Sequence, residues 1–185
     1  MPLSAAIMVR RQTSRRTILS SVTAVVLAAI ACHSADDTTY VVQRLALDTL
    51  FNGREHARQL VLWSSESPGP TLELILSQQA LEHTSIDIQR LEPTLPATAV
   101  DEQTLADLFR DHPDGWAEFF RRYSQSSGLV ELSPVRLSSG NSRAELFVGR
   151  SCGEHCRNAW RIVAKRTASG AWRVAELQWI GVPLT

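Results

Sequence analysis

Residues 129–180 read LVELSPVRLSSGNSRAELFVGRSCGEHCRNAWRIVAKRTASGAWRVAELQWI, and their period decides the fold. Ala144, Leu146 and Val148 alternate with Glu145 and Phe147. Trp160, Ile162 and Ala164 alternate with Arg161, Val163 and Lys165. A two-residue period sends alternate side chains to opposite faces of a strand. Leu129 to Leu137 predicts one more strand, with Pro134 marking a bend or an edge because it has no N–H to give to a ladder. Trp172 and Val174 share a face, while Leu177 and Trp179 are out of phase with them, which predicts a bulge near Ala175 or Glu176. Ser138 to Asn141 and Thr167 to Ala171 are short turns. Strands joined in this way pair antiparallel, so the stretch predicts a C-terminal meander of about four strands.

Upstream the period lengthens. Leu105, Leu108 and Phe109 fit one face of a helix beginning near Asp101, and His112-Pro113 stops it, since the residue before proline is pushed out of the helical region. A second helix starts near Asp114, a capping residue. Its Trp116, Phe119, Phe120 and Tyr123 form one aromatic stripe, which reads as core packing. Gln59 to Trp63 reads as a buried strand, and Pro93 to Ala99 as a loop. Thr39 to Leu50 and Thr71 to His83 fit a helix or a strand about equally. The fold class expected is α+β, with helices first and the antiparallel sheet last.

Within the meander, Ser151-Cys152-Gly153-Glu154-His155-Cys156 joins two strands. Residues four apart in a strand are about 13 Å apart, and a disulfide needs Cα atoms about 4.4–6.8 Å apart. A bridged Cys152–Cys156 therefore demands a turn, which Gly153 permits. The alternative is copper or zinc on Cys152, His155 and Cys156. A redox role would expect a helix after the first cysteine to lower its pKa, and the flanks read as strands.

The N-terminus adds a compartment. Arg10, Arg11, Arg15 and Arg16 precede an apolar stretch from Thr17 to Ala31, with no acid before Asp36. A membrane-spanning helix needs about 20 apolar residues, so this shorter segment reads as a cleaved signal over residues 1–31. Leu27-Ala28-Ala29-Ile30-Ala31-Cys32 resembles the bacterial lipobox, in which the cysteine is acylated and becomes the mature N-terminus. Ala29 departs from the leucine of that pattern and leaves ordinary cleavage before Cys32 open. His33, rather than aspartate, after the cysteine implies the outer membrane, facing the periplasm. Residues 32–39 read as a tether and 40–185 as a single domain. Ser14-Arg15-Arg16-Thr17-Ile18-Leu19 also resembles a twin-arginine signal, so the export route stays open.

Removing 31 of 185 residues leaves 154, enough for one domain with a real core. The leader takes four arginines and no acid with it, so 19 basic and 19 acidic residues become 15 and 19. With no basic tract, nucleic acid is a poor partner. His33, His56, His83 and His112 show no ligand spacing, and no catalytic motif is present. Glu131 and Glu145, on neighbouring strands, read as exposed strand acids rather than a carboxylate pair. No cofactor is expected.

The C-terminal half resembles a family of uncharacterised bacterial exported proteins with a W-x-x-F helix, a strand ending in S-x-V, a C-G-x-x-C motif and a final G-x-W-x-V…W strand. Here the matching residues are Trp116, Phe119, Tyr123, Ser133, Val135, Cys152, Gly153, Cys156, Gly170, Trp172, Val174 and Trp179. The family expects glycine after the second cysteine, where this chain has Arg157. The resemblance implies fold and compartment, and no activity. The reading is therefore a non-enzymatic envelope lipoprotein, anchored to the membrane by lipid on Cys32, that binds an envelope protein or small ligand. The runner-up is the copper- or zinc-handling protein above.

Overall fold

Thr39 to Leu50, open between helix and strand on its period, is the middle of a helix. In the computed structural model α1 covers Ala35–Phe51. Val42, Ala46, Leu47 and Leu50 fall on one face and are buried, so the three-to-four spacing wins over the Leu45/Leu47 alternation. The residues described are 35–52, 58–64, 69, 71–73 and 86–181. The signal, Cys32, His33, His56 and His83 lie outside them. The helix takes in residues 35–39, so the folded domain starts earlier than the tether expected over residues 32–39. Asp37 explains part of this: its carboxylate meets Arg90 at 3.0 Å, and the Arg90 guanidinium stacks over Tyr40 at 4.3 Å.

Among the described residues the other elements follow in chain order. They are β1 (Gln59–Trp63), α2 (Ile88–Leu91), β2 (Ala97–Val100), α3 (Glu102–Asp111), α4 (Gly115–Arg122), β3 (Ser126–Leu132), β4 (Arg136–Leu137), β5 (Arg143–Ser151), β6 (Arg157–Arg166) and β7 (Trp172–Ile180). Thr71–Glu73 are helical, and the rest of Thr71 to His83 lies outside the described residues. Asp101 and Asp114 cap α3 and α4 by accepting the N–H groups of Thr104 and Ala117, at 2.7 and 2.9 Å.

The class is α+β, with one mixed sheet of seven strands in the order β2-β1-β3-β5-β6-β7 and β4 beside β5. Strands β3, β5, β6 and β7 are the expected antiparallel meander. Two features correct the sequence reading. The sheet extends past β3 through the parallel strands β1 and β2, and three of the four residues of β2 lie in the stretch Pro93 to Ala99 read as a loop. Ala97-Thr98-Ala99-Val100 is short and has only one buried residue. Its pairing with β1, 34 or more residues upstream, is not a local signal. The expected single strand Leu129 to Leu137 is also broken, at Ser133-Pro134-Val135. There the Ser133 hydroxyl accepts the Phe147 N–H at 2.8 Å, keeping a ladder-like contact where proline has no N–H of its own. Ala175 is the bulge residue. Val163 faces Glu176 and Ala164 faces Val174, so the slip returns Leu177 and Trp179 to the face of Val174.

Helices cover both faces. Cluster one packs α1 and Leu91 against Val130, Leu146, Val148, Trp160 and Ile162, with Phe51 edge-on to Trp160 at 6.3 Å. Cluster two lies on the opposite face, where Leu108 and Phe119 meet Val61, Trp63, Val100 and Leu129. Among the described residues no helix is long and apolar enough to cross a membrane.

Candidate functional site

Leu129 and Glu131 are two apart on β3 and share the face of cluster two. Leu129 packs into that cluster, and Glu131 is fully buried. Its carboxylate accepts the backbone N–H of Thr71 at 3.0 and 3.1 Å and that of Leu72 at 2.9 Å. The Ser151 hydroxyl reaches the same group at 3.3 Å and contacts the Thr71 hydroxyl at 2.5 Å. Gly149 faces Glu131 across the ladder, and a Cβ there would press on Thr71 and Leu72 at 3.2 Å. At Gly69 a Cβ would come within 2.5 Å of the Glu131 side chain. Two glycines therefore make the room in which a carboxylate ties Thr71 and Leu72 to the sheet. Burial raises the Glu131 pKa above the ordinary glutamate value, while the bonds from Leu72, Thr71 and Ser151 pull it down.

This overturns the exposed-acid reading of Glu131, whereas Glu145 is the half-buried partner of a cation. Arg161 grips Glu145 with two bonds, at 2.8 and 2.9 Å, and the guanidinium bonds hold that carboxylate below its ordinary range. The two acids are not a pair. Alternation along a strand cannot distinguish a solvated acid from one beneath a helix end.

Beside this cluster, between α3 and the sheet, is a cleft of about 530 Å³. Leu105, Ala106 and Phe109 of α3 and Trp116 of α4 form one wall. Trp63, Leu129, Ser151 and Arg157 of the sheet form the floor, and Glu73 and Glu102 also line it. Phe109 is 37% exposed despite its place on the apolar side of α3. It meets Trp116 edge-on at 5.3 Å and 87°, and Trp116 rests on Phe119 at 5.2 Å. The aromatic stripe read as core thus divides: Phe119 and Tyr123 are buried, and Trp116 is a cleft wall.

The cysteine pair bears on the same floor. Cys152 and Cys156 sit at disulfide distance with Cα atoms 4.9 Å apart. The Cys152 N–H bonds the Cys156 carbonyl at 2.7 Å, and Gly153 takes φ +148°. The loop begins after Ser151 and ends before Arg157, which face each other across β5 and β6. His155 is exposed, and among the described residues no group of three or more His, Cys, Asp or Glu is arranged to hold a metal. His112 ends α3 in extended backbone and is exposed. No family model, no curated protein and no solved structure matches this chain.

Proposed function

We propose that the chain is a non-enzymatic binding module of the bacterial envelope, with the cleft under α3 as its seat. The observation that carries this reading is the cleft itself. Apolar and aromatic side chains surround about 530 Å³ of open space, with a few polar groups converging on the floor, as is usual for a small-molecule site. The Ser151 hydroxyl on that floor is already engaged by Thr71 and Glu131, which favours a fixed polar contact over a nucleophile. The export reading supports the compartment: the basic start, the short apolar stretch and Ala-Ile-Ala-Cys32 propose a lipid anchor, with the domain facing the periplasm.

Nuclear magnetic resonance of the full-length protein tests the seat. Trp63 and Trp116 each carry an indole N–H, assigned by Trp→Phe variants. Adding a mixture of small aromatic and aliphatic compounds is expected to move these two signals and leave that of Trp179 in place. Shifts confined to Trp179, or none, would place the binding surface elsewhere.

A further inference from the structure

We infer that the cleft takes a small, flat aromatic carboxylate, whose charge Arg157 holds; this rests on the binding-module reading above. Three charged side chains line the space: Glu73, Glu102 and Arg157. Glu102 stands in the first turn of α3, where a carboxylate offsets the positive end of the helix. Glu73 is exposed, so water screens its charge. Arg157 differs from both. It is half-buried at the start of β6, and among the described residues it makes no ion pair. A partly desolvated guanidinium that no described carboxylate pairs with favours an anion, which it can grip through two parallel N–H bonds.

The walls define the rest of the ligand. Phe109 and Trp116 stand edge-to-face, with their ring planes 87° apart, and both line the space. A flat ring system can stack on one and abut the other. Phe119 and Phe120 support Trp116 at 5.2 and 6.1 Å, so the wall is formed before any ligand arrives. Leu105 and Leu129 add apolar surface to the same space that Arg157 lines. Arg157 is set by its ladder position opposite Ser151, and Ser151 is set by Thr71 and Glu131.

The test uses three probes of one shape and three charges on the full-length protein: naphthaleneacetate, naphthaleneacetamide and naphthylmethylammonium, titrated by calorimetry. Naphthaleneacetate is expected to bind about tenfold tighter than the amide, with the cation weakest. Arg157→Gln should remove about tenfold of the carboxylate's affinity and leave the amide within about twofold. Arg157→Lys, which keeps the charge without the fork, should fall between them. Ala106→Trp, which fills the cleft from an exposed helix position, should weaken all three, and circular dichroism checks that each variant is folded. Equal binding of the three probes, abolished by Ala106→Trp, would overturn the carboxylate inference and leave the seat intact. Preference for the cation would do the same. A carboxylate preference that survives Arg157→Gln would remove Arg157 from its role. No binding of any probe up to about 1 mM would overturn both readings.

Discussion

Glu131 combines full burial with a charge-bearing group, so its protonation state matters to the whole domain. Glu131→Ala would leave the N–H groups of Thr71 and Leu72 without their acceptor, and is expected to cost about 3 kcal/mol in urea melts. The pH dependence has a definite sign. Burial raises the folded-state pKa above the ordinary 4.5. The folded chain therefore holds this proton more firmly than the unfolded chain does. The contribution is whole below about pH 4.5 and is lost as pH rises through the raised folded value. Glu145 and Glu118 run the other way, because their arginine partners lower their values. Subtracting melts of Glu131→Gln from those of the natural chain isolates the Glu131 contribution. The natural chain should lose stability relative to the variant as pH rises above about 4.5. A flat difference would mean that the carboxyl titrates alike in both states. In sequence Glu131 reads as an exposed acid because its partners come from residues 71 and 72, about 60 positions away.

Among the elements, the β5–β6 turn links stability to the site. It closes a loop with a sequence separation of only 4, so Cys152→Ser/Cys156→Ser is expected to cost about 2 kcal/mol or less. Ser151 and Arg157 flank that turn, so the double variant should loosen the cleft floor and weaken naphthaleneacetate binding by about tenfold at unchanged secondary structure. Unchanged naphthaleneacetate affinity in the folded double variant would instead make the turn purely structural. β7 gives a complementary pair. Trp172 packs against the α1 cluster, whereas Trp179 is 62% exposed on the same strand. Trp172→Ala is expected to cost about 2 kcal/mol and Trp179→Ala under about 1 kcal/mol. The meander was legible because each of its strands has neighbours nearby in sequence and a two-residue period. The bulge at Ala175 was legible because a change of phase needs an extra residue. β2 was not, since four residues with polar Thr98 look like a loop until β1 supplies their parallel partner. Half the site was hidden for a related reason. Phe109 and Trp116 have the spacing of core residues, and only packing decides that α3 stands off the sheet far enough to leave them lining a cleft.

At the scale of the whole molecule, the two faces of the sheet are finished differently. α1 closes one over cluster one, while α3 and α4 leave the cleft open on the other. A binding face of this kind acts at a membrane only if the chain is held there, and residues 1–32 carry that proposal. α1 begins at Ala35, three positions after Cys32. Cys32→Ala therefore changes the proposed anchor without touching any described element. In bacteria fed labelled fatty acid, the natural chain should carry label and sediment with envelope membranes. The Cys32→Ala chain should lose the label and leave the membrane fraction, while its Trp63 and Trp116 signals stay as they were. Ordinary cleavage before Cys32 gives a different result: no label on either chain, and a free thiol at the mature N-terminus of the natural one. Label that survives the substitution would place the acyl group on another residue and end the case for Cys32. A single acyl chain holds a protein only marginally. A membrane fraction stable to dilution would accordingly require more than one chain on that cysteine, and the mass of the mature N-terminal peptide measures their number.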